Sequence, residues 1–325
     1  MVETNLMVGI DVSKQNIDVA LPNKENYLSQ QYSNDEKGFK QLLRALPPDA
    51  HCIMEVTGVY YLRAATFLYS NGIKVSVVNP LVIKRFSQMR LLRTKTDKAD
   101  AIMIAEYGKT EHPELWKPNE NYVLELQQLE AVLEQYGRQQ TAMRNQQEAF
   151  TQSVVSNKLA MQSINQSLLH LEKQCTRVEN RMKELITAQH NDLLKRLSSI
   201  PGIGDKTAIM LIVITGGFKK FENSRQLSSY IGLCPRIVES GTSVKGKNKI
   251  CKLGMSRMRR LIYLCTWSAI KCNRTCTQMY ERMVAKGKPK MVALIAVANK
   301  LLKQAFAIAK SQRNYVENFQ SNICF

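Results

Sequence analysis

Histidine is nearly missing from this chain, with four scattered among 325 residues. The eight cysteines are scattered as well, and the nearest pair, Cys272 and Cys276, stands at i,i+4 with no second pair and no histidine close by. That spacing indicates neither a Cys/His zinc site nor a disulfide framework, and the expectation is buried thiols in a reducing compartment. Long apolar runs are missing too. The most apolar late stretch, residues 292–308, contains Lys300 and Lys303 and reads as a buried helix, not a membrane span. No signal-peptide pattern opens the chain, because Glu3 and then Asp11 interrupt it. The expected location is therefore cytoplasmic, with no membrane partner. Acid is scarcest near the end, where residues 241–325 hold 2 Asp/Glu against 17 Lys/Arg, so that +15 of the formal +19 lies in that block. A polyanion partner is the simplest account of so one-sided a segment. A membrane surface and a merely solubilising face are the competing readings.

What is present is ordinary globular material. The chain is 44% hydrophobic and 22% charged, enough to bury real cores and long enough for two or three domains. Residues 6–11 form an apolar run, residues 16–21 place Ile17, Val19 and Leu21 on one face, and residues 30–33 complete a meander. Phe39, Leu42, Leu43 and Leu46 have helical spacing ended by Pro47-Pro48; residues 52–55 read as a buried strand, 61–69 as a helix and 75–79 as a strand stopped by Pro80. The order β-β-β-α-β-α-β is what a ribonuclease-H-like domain needs. From Leu126 a 3,4-spaced apolar track runs through Leu129, Leu133, Tyr136, Met143, Phe150, Val154, Met161, Ile164, Leu168, Leu171, Cys175, Val178, Met182 and Leu185. It predicts a coiled coil, as one long helix or as a hairpin turning near 153–157, with a packed helical bundle as the alternative. The division expected is 1–115 α/β, 116–195 coiled-coil or helical, and 196–325 basic and mainly helical.

Three constellations could carry chemistry. In the first, Asp11 ends the first strand on the face opposite Val8 and Ile10, and Glu55 ends the fourth strand in the same way. If those strands are neighbours, the two carboxylates converge. Asp97 and Asp100, at i,i+3, share one helix face; like charges side by side call for a counter-cation. Four hard oxygen ligands without histidine or cysteine suit Mg²⁺ or Mn²⁺, and two such ions suit in-line displacement at phosphorus. Taken singly, each acid also has a dull reading as a turn cap, strand end or solvated helix start. In the second, Pro201-Gly202-Ile203-Gly204-Asp205-Lys206-Thr207 looks like a helix-hairpin-helix turn, with Gly202, Gly204, Lys206 and Thr207 as phosphate contacts; an ordinary helix connection is the alternative. In the third, Ser240 stands in a Gly/Lys loop with Lys245, Lys247 and Lys249, followed by Lys252, Arg257, Arg259 and Arg260. Chemistry alone favours plain phosphate binding there, since serine is a weak nucleophile without a base or metal.

These stretches, together with Val77-Val78-Asn79-Pro80, Ile200-Pro201-Gly202-Ile203-Gly204 and Gly232-Leu233-Cys234-Pro235, come in a characteristic order. Nearly end to end, the chain resembles the insertion-sequence transposases with an N-terminal DEDD domain, also described as bridge-RNA-guided recombinases, a group that includes pilin-gene invertases. The resemblance implies a RuvC-like nuclease domain, a coiled-coil insertion and a C-terminal transposase domain. It implies Mg²⁺ on Asp11, Glu55, Asp97 and Asp100, and Ser240 as a nucleophile forming a covalent phosphoserine link to DNA. It also implies a structured guide RNA pairing with target and donor DNA, and a homo-oligomer, dimer or tetramer. No departure is visible at the four acids or the serine, while the loop after Ser240 is unusually lysine-rich.

Three rivals share parts of the pattern. A sugar kinase also begins Gly-Ile-Asp but needs a second glycine-rich phosphate loop and a duplicated α/β domain, neither of which is present. A Holliday-junction resolvase shares the carboxylates and lacks the long helical segment and basic block. A non-catalytic helix-hairpin-helix DNA binder has no use for the acids.

Overall fold

The computed structural model describes residues 6–24, 26–56, 58–91, 96–236, 239–240, 244–245, 249–251 and 253–317, with backbone alone at 236, 239, 240, 244, 245 and 249. The chain divides into two compact units, Met1–Asn119 and Glu120–Phe325.

In the first unit β1 (Leu6–Val12), β2 (Asn16–Asn23) and β3 (Asn26–Ser33) form an antiparallel meander. After α1 (Glu36–Ala45), β4 (Ala50–Glu55) pairs parallel to β1; after α2 (Tyr61–Ser70), β5 (Lys74–Val78) pairs parallel to β4. Helices α3 (Pro80–Met89) and α4 (Asp97–Glu111) complete the unit, and the sheet order is β3-β2-β1-β4-β5. The β-β-β-α-β-α-β succession expected from periodicity is the one observed. One face of the sheet sets Val8, Ile10, Val12, Ile17, Val19 and Leu21 against Phe39 and Leu42 of α1 and Ala64, Ala65 and Leu68 of α2. The other sets Met7 and Ile53 against Ile83 and Phe86 of α3 and Met103 and Ile104 of α4. A sheet covered on both faces buries Met7, Val8, Gly9 and Ile10 in succession, so β1 reads as a continuous apolar run.

Two elements differ from the sequence expectation. Strand pattern is visible only over residues 30–33, yet β3 starts at Asn26, because backbone pairing with β2 continues to Asn23↔Asn26 whatever the side chains are. Pro80 does more than stop β5, for it is the first residue of α3. A proline there has no N–H to leave unsatisfied, and the Asn79 side chain caps the helix by accepting from the Leu81 amide at 2.9 Å.

The second unit opens with α5 (Asn121–Thr151) and α6 (Lys158–Ser198) as an antiparallel hairpin, the second of the two forms the apolar track allowed. Asn157 begins α6 by accepting from the Leu159 and Ala160 amides. Across the hairpin Arg144 pairs with Glu172 at 3.1 Å and Arg181 with Glu125 at 2.9 Å. The track holds through Leu126, Leu133, Leu168, Leu171 and Met182, all buried. It fails at Val154, which lies in the connecting turn and is fully exposed, because the 3,4 spacing there spans a segment that is not helical.

Beyond the hairpin come α7 (Asp205–Thr215), α8 (Ser224–Ile231), then β6 (Pro235–Arg236), β7 (Glu239–Ser240), β8 (Val244–Lys245) and β9 (Lys249–Ile250), with β6 paired to β9 and β7 to β8. Three helices close the unit: α9 (Ser256–Cys272), α10 (Arg274–Ala285) and α11 (Lys290–Ser311). One hydrophobic cluster joins the base of the hairpin (Leu126, Met182, Ile186, Leu197) to Leu211 of α7, Ile262 of α9 and Leu301 of α11. Among the described residues α11 is the one helix long and apolar enough to cross a membrane. Its buried side chains, Leu294, Val297, Ala298, Leu301, Leu302 and Ala305, form a single stripe packed on α8, α9 and α10, which is the geometry of a core helix.

Candidate metal centre

The site of the first unit is built by one strand end, its neighbour and one helix start. Asp11 lies at the carboxyl end of β1 and Glu55 at the carboxyl end of β4; the parallel register Ile10↔Met54 makes them successive neighbours across the ladder. Ligands in open α/β sheets gather at such strand ends. Helix α4 supplies the other two acids in its first turn. Its start is set by Thr96, whose hydroxyl accepts from the Ala99 amide at 3.2 Å and whose carbonyl accepts from the Asp100 amide at 2.8 Å. One carboxylate oxygen each of Asp11, Asp97 and Asp100 lies within 4.8 Å of the others.

Small residues make that approach possible. A Cβ at Gly9 would stand 1.9 Å from the Ala101 carbonyl oxygen and 2.4 Å from the Ala105 nitrogen, so α4 lies directly on the backbone of β1. Both clashing atoms are backbone and cannot rotate away. Gly9→Ala is therefore expected to cost about 3 kcal/mol or more, at the upper end for overpacking, read as a lower denaturant midpoint. In whatever fraction folds, the shifted helix also carries Asp97 and Asp100 away from Asp11, so the carboxylate group opens as stability is lost.

The electrostatics are those of crowded acids. Burial, and then the charges of Asp100, Glu55, Asp97 and Asp18, push the Asp11 carboxyl up to about 6. Glu55, half-buried, is one of the charges that act on Asp11, but among the described residues it is not part of the group gathered within 4.8 Å. Asp18 was not anticipated. It stands directly across β1/β2 from Asp11 and is buried, and Gln31 Nε2 donates to both its carboxylate oxygens at 3.1 and 3.2 Å. The alternation of Ile17 and Val19 puts Asp18 on Asp11's face; only the hairpin register puts it opposite Asp11.

The remaining sequence candidates lie in the second unit. Gly202 has φ +100 and sits so close to α9 that a Cβ would be 2.7 Å from that of Ala269, so this glycine serves helix packing. Gly204 is exposed at the start of α7 with open space around it. Lys206 is exposed and pairs with Glu179, while Thr207 points inward, its hydroxyl 3.2 Å from Cys265 Sγ. Arg257 is bound to Glu130 at 2.8 Å and Arg259 donates to the Ile231 carbonyl at 2.8 Å; Arg260 is exposed. Thr207 opens a run of α7 that is buried throughout to Thr215, and Arg257 and Arg259 flank the buried Met258 on α9; composition reveals neither. Ser240 is on β7, and its side chain, with those of Lys245 and Lys249, lies outside the described residues, as do Lys247 and Lys252 altogether.

Residues 8–156 match the DEDD transposase model of the IS110 type, and residues 194–281 match the model described as Transposase IS116/IS110/IS902 family. The pilin gene-inverting proteins of Moraxella lacunata and Moraxella bovis are each 31% identical over 317 residues, covering 95% of this chain and 97% of theirs. The chain belongs to the IS116/IS110/IS902 transposase family. A protein of Streptomyces coelicolor insertion element IS110 is 27% identical over 165 residues, 51% of this chain and 40% of its own. Membership makes this transposase a DNA-cleaving recombinase, and it gives the three gathered carboxylates a divalent-metal context.

Proposed function

We propose that this transposase cuts and rejoins DNA by transferring a phosphate ester from DNA to Ser240 and back, and that Asp11, Glu55, Asp97 and Asp100 hold Mg²⁺ or Mn²⁺ for that reaction. The observation that carries the reading is the gathering of Asp11, Asp97 and Asp100 within 4.8 Å from segments far apart in the chain. The donor set fits the ion. The gathered groups are all carboxylates with hard oxygens, and the burial and acid crowding that push Asp11 up to about 6 are of the kind a cation relieves. When bound, the metal supplies Lewis-acid stabilisation of charge at the scissile phosphate.

The chain's own steps are these. The Ser240 hydroxyl gives up its proton and its oxygen bonds to phosphorus; the bond from phosphorus to a sugar oxygen breaks, and that oxygen takes up a proton. The phosphoserine ester conserves the bond, so attack by a sugar hydroxyl reseals a strand and returns Ser240 without an external energy source. Residues 1–115 act as the RuvC-like nuclease, 116–195 as the dimerisation arm of a homo-oligomer, and 196–325 as the strand-exchange part. A structured guide RNA pairs with target and donor DNA.

The experiment is metal removal. Cleavage of a DNA substrate by the purified protein is expected to vanish with EDTA and return with Mg²⁺, and nucleic acid that co-purifies should contain a defined structured RNA on sequencing. Cleavage that survives EDTA would overturn the metal assignment, and co-purified RNA of random sequence would overturn the guide.

A further inference from the structure

Helix α9 carries an exposed face of which only Arg260 is among the sequence candidates. Its buried side holds Met258, Ile262 and Ala269. The opposite side is a straight exposed stripe of Arg260, Leu264, Trp267 and Lys271, spaced 4, 3 and 4 residues apart. Leu264 is 53% and Trp267 50% exposed, and Tyr263 meets the indole edge-on with centroids 6.5 Å apart. A half-exposed indole beside Leu264 offers a partner a flat apolar face with a polar edge.

The charges say which partner. The sequence of α9, SRMRRLIYLCTWSAIKC, contains four cations and no acid. Arg257 and Arg259 are spent on Glu130 and the Ile231 carbonyl, whereas Arg260 and Lys271 are exposed and make no ion pair among the described residues. At the helical rise they stand about 16 Å apart, one on each side of the indole. A flat aromatic ring between two free cations fits a base face with phosphates on either side. In duplex DNA the base faces are already stacked. We propose that Arg260, Trp267 and Lys271 form a platform for unpaired DNA, with a displaced base stacked on Trp267. The proposal rests on the DNA substrate of the family and not on the acid centre.

Trp116 and Trp267 are the two tryptophans, so full-length W116F protein reports from Trp267 alone. Its fluorescence is expected to fall when an unpaired deoxyoligonucleotide is added and to fall less with the matching duplex. Trp267→Ala should weaken unpaired-strand binding about tenfold, the scale of one lost stack, with Trp267→Phe keeping most of it. Replacing Arg260 and Lys271 by alanine should lower the salt slope of binding by about 1.4, two single-strand phosphate contacts. Equal quenching by the duplex, quenching by RNA alone, or emission that changes with protein concentration alone overturns the proposal; the last would assign the stripe to a second copy of the chain. Because the quench in W116F reads the intact surface, a poorly folding alanine variant does not blunt the test. Asp11→Asn should leave the quench unchanged, which separates failure here from failure of the metal reading.

Discussion

Asp11→Asn is expected to lower DNA cleavage by about a thousandfold or more, roughly 4 kcal/mol of barrier, while leaving the protein folded. Asparagine keeps the shape and one oxygen but removes the charge shared with Asp97 and Asp100. The same variant should melt at a higher temperature than the wild type without metal, since it relieves repulsion from Asp100, Glu55, Asp97 and Asp18, and its Mg²⁺-induced rise in melting temperature should be largely lost. The pH dependence has a definite sign. Asp11 titrates near 3.8 when unfolded and about 6 when folded, so between those values the folded protein binds the extra proton. The Asp11 contribution to metal-free stability, read as wild type minus D11N, therefore falls as pH rises from about 4 to 6 and is level above. A shift of that size is worth about 3 kcal/mol in full burial and on the order of 1 kcal/mol at a half-buried carboxylate screened by solvent. Below pH 6 a proton competes for the site, so Mg²⁺ binding should tighten with rising pH and release a proton. Wild-type and D11N melting curves at pH 4, 5, 6 and 7, with and without Mg²⁺, check all of this. Equal Mg²⁺ shifts in the two proteins would remove Asp11 from the metal site.

Ser240→Ala is expected to abolish the covalent protein–DNA adduct on a denaturing gel and to cut strand exchange by at least about 10⁴-fold, the scale of a lost nucleophile. DNA affinity should change less than twofold, because one hydroxyl is a small part of a basic segment with 17 Lys/Arg. The variant also separates the reaction classes. Adduct and rejoining lost together is the recombinase outcome. Cleavage retained without an adduct would point to direct hydrolysis in the manner of a resolvase, and an adduct retained in S240A would remove the serine from its role.

Much of the acid centre was legible because each of its parts has a local signature. Asp11 and Glu55 close apolar strand runs, and Asp97 and Asp100 follow a threonine that caps a helix. Asp18 was not legible, since its nearness to Asp11 depends on which residue of β2 lies opposite it, a question of register. Val154 and Thr207 show the converse. A 3,4 track continues arithmetically through a turn, and a threonine beside two glycines looks available to phosphate, yet one is outside any helix and the other faces a core.

By itself the sequence determined the succession of strands and helices in the first unit, the faces those elements bury, the acidic residue types and their helix-start spacing, and the concentration of positive charge after residue 240. These follow from side-chain period and composition, which act over a few neighbouring residues. Tertiary structure alone decided that α5 and α6 fold back as a hairpin, that α4 rests on the bare backbone at Gly9 and so brings Asp97 and Asp100 to Asp11, that Asp18 stands opposite Asp11 on β2, and which arginines of α9 turn outward. Each of these depends on backbone pairing or close packing between segments tens of residues apart, and no local pattern of side chains encodes which partner a buried face will meet.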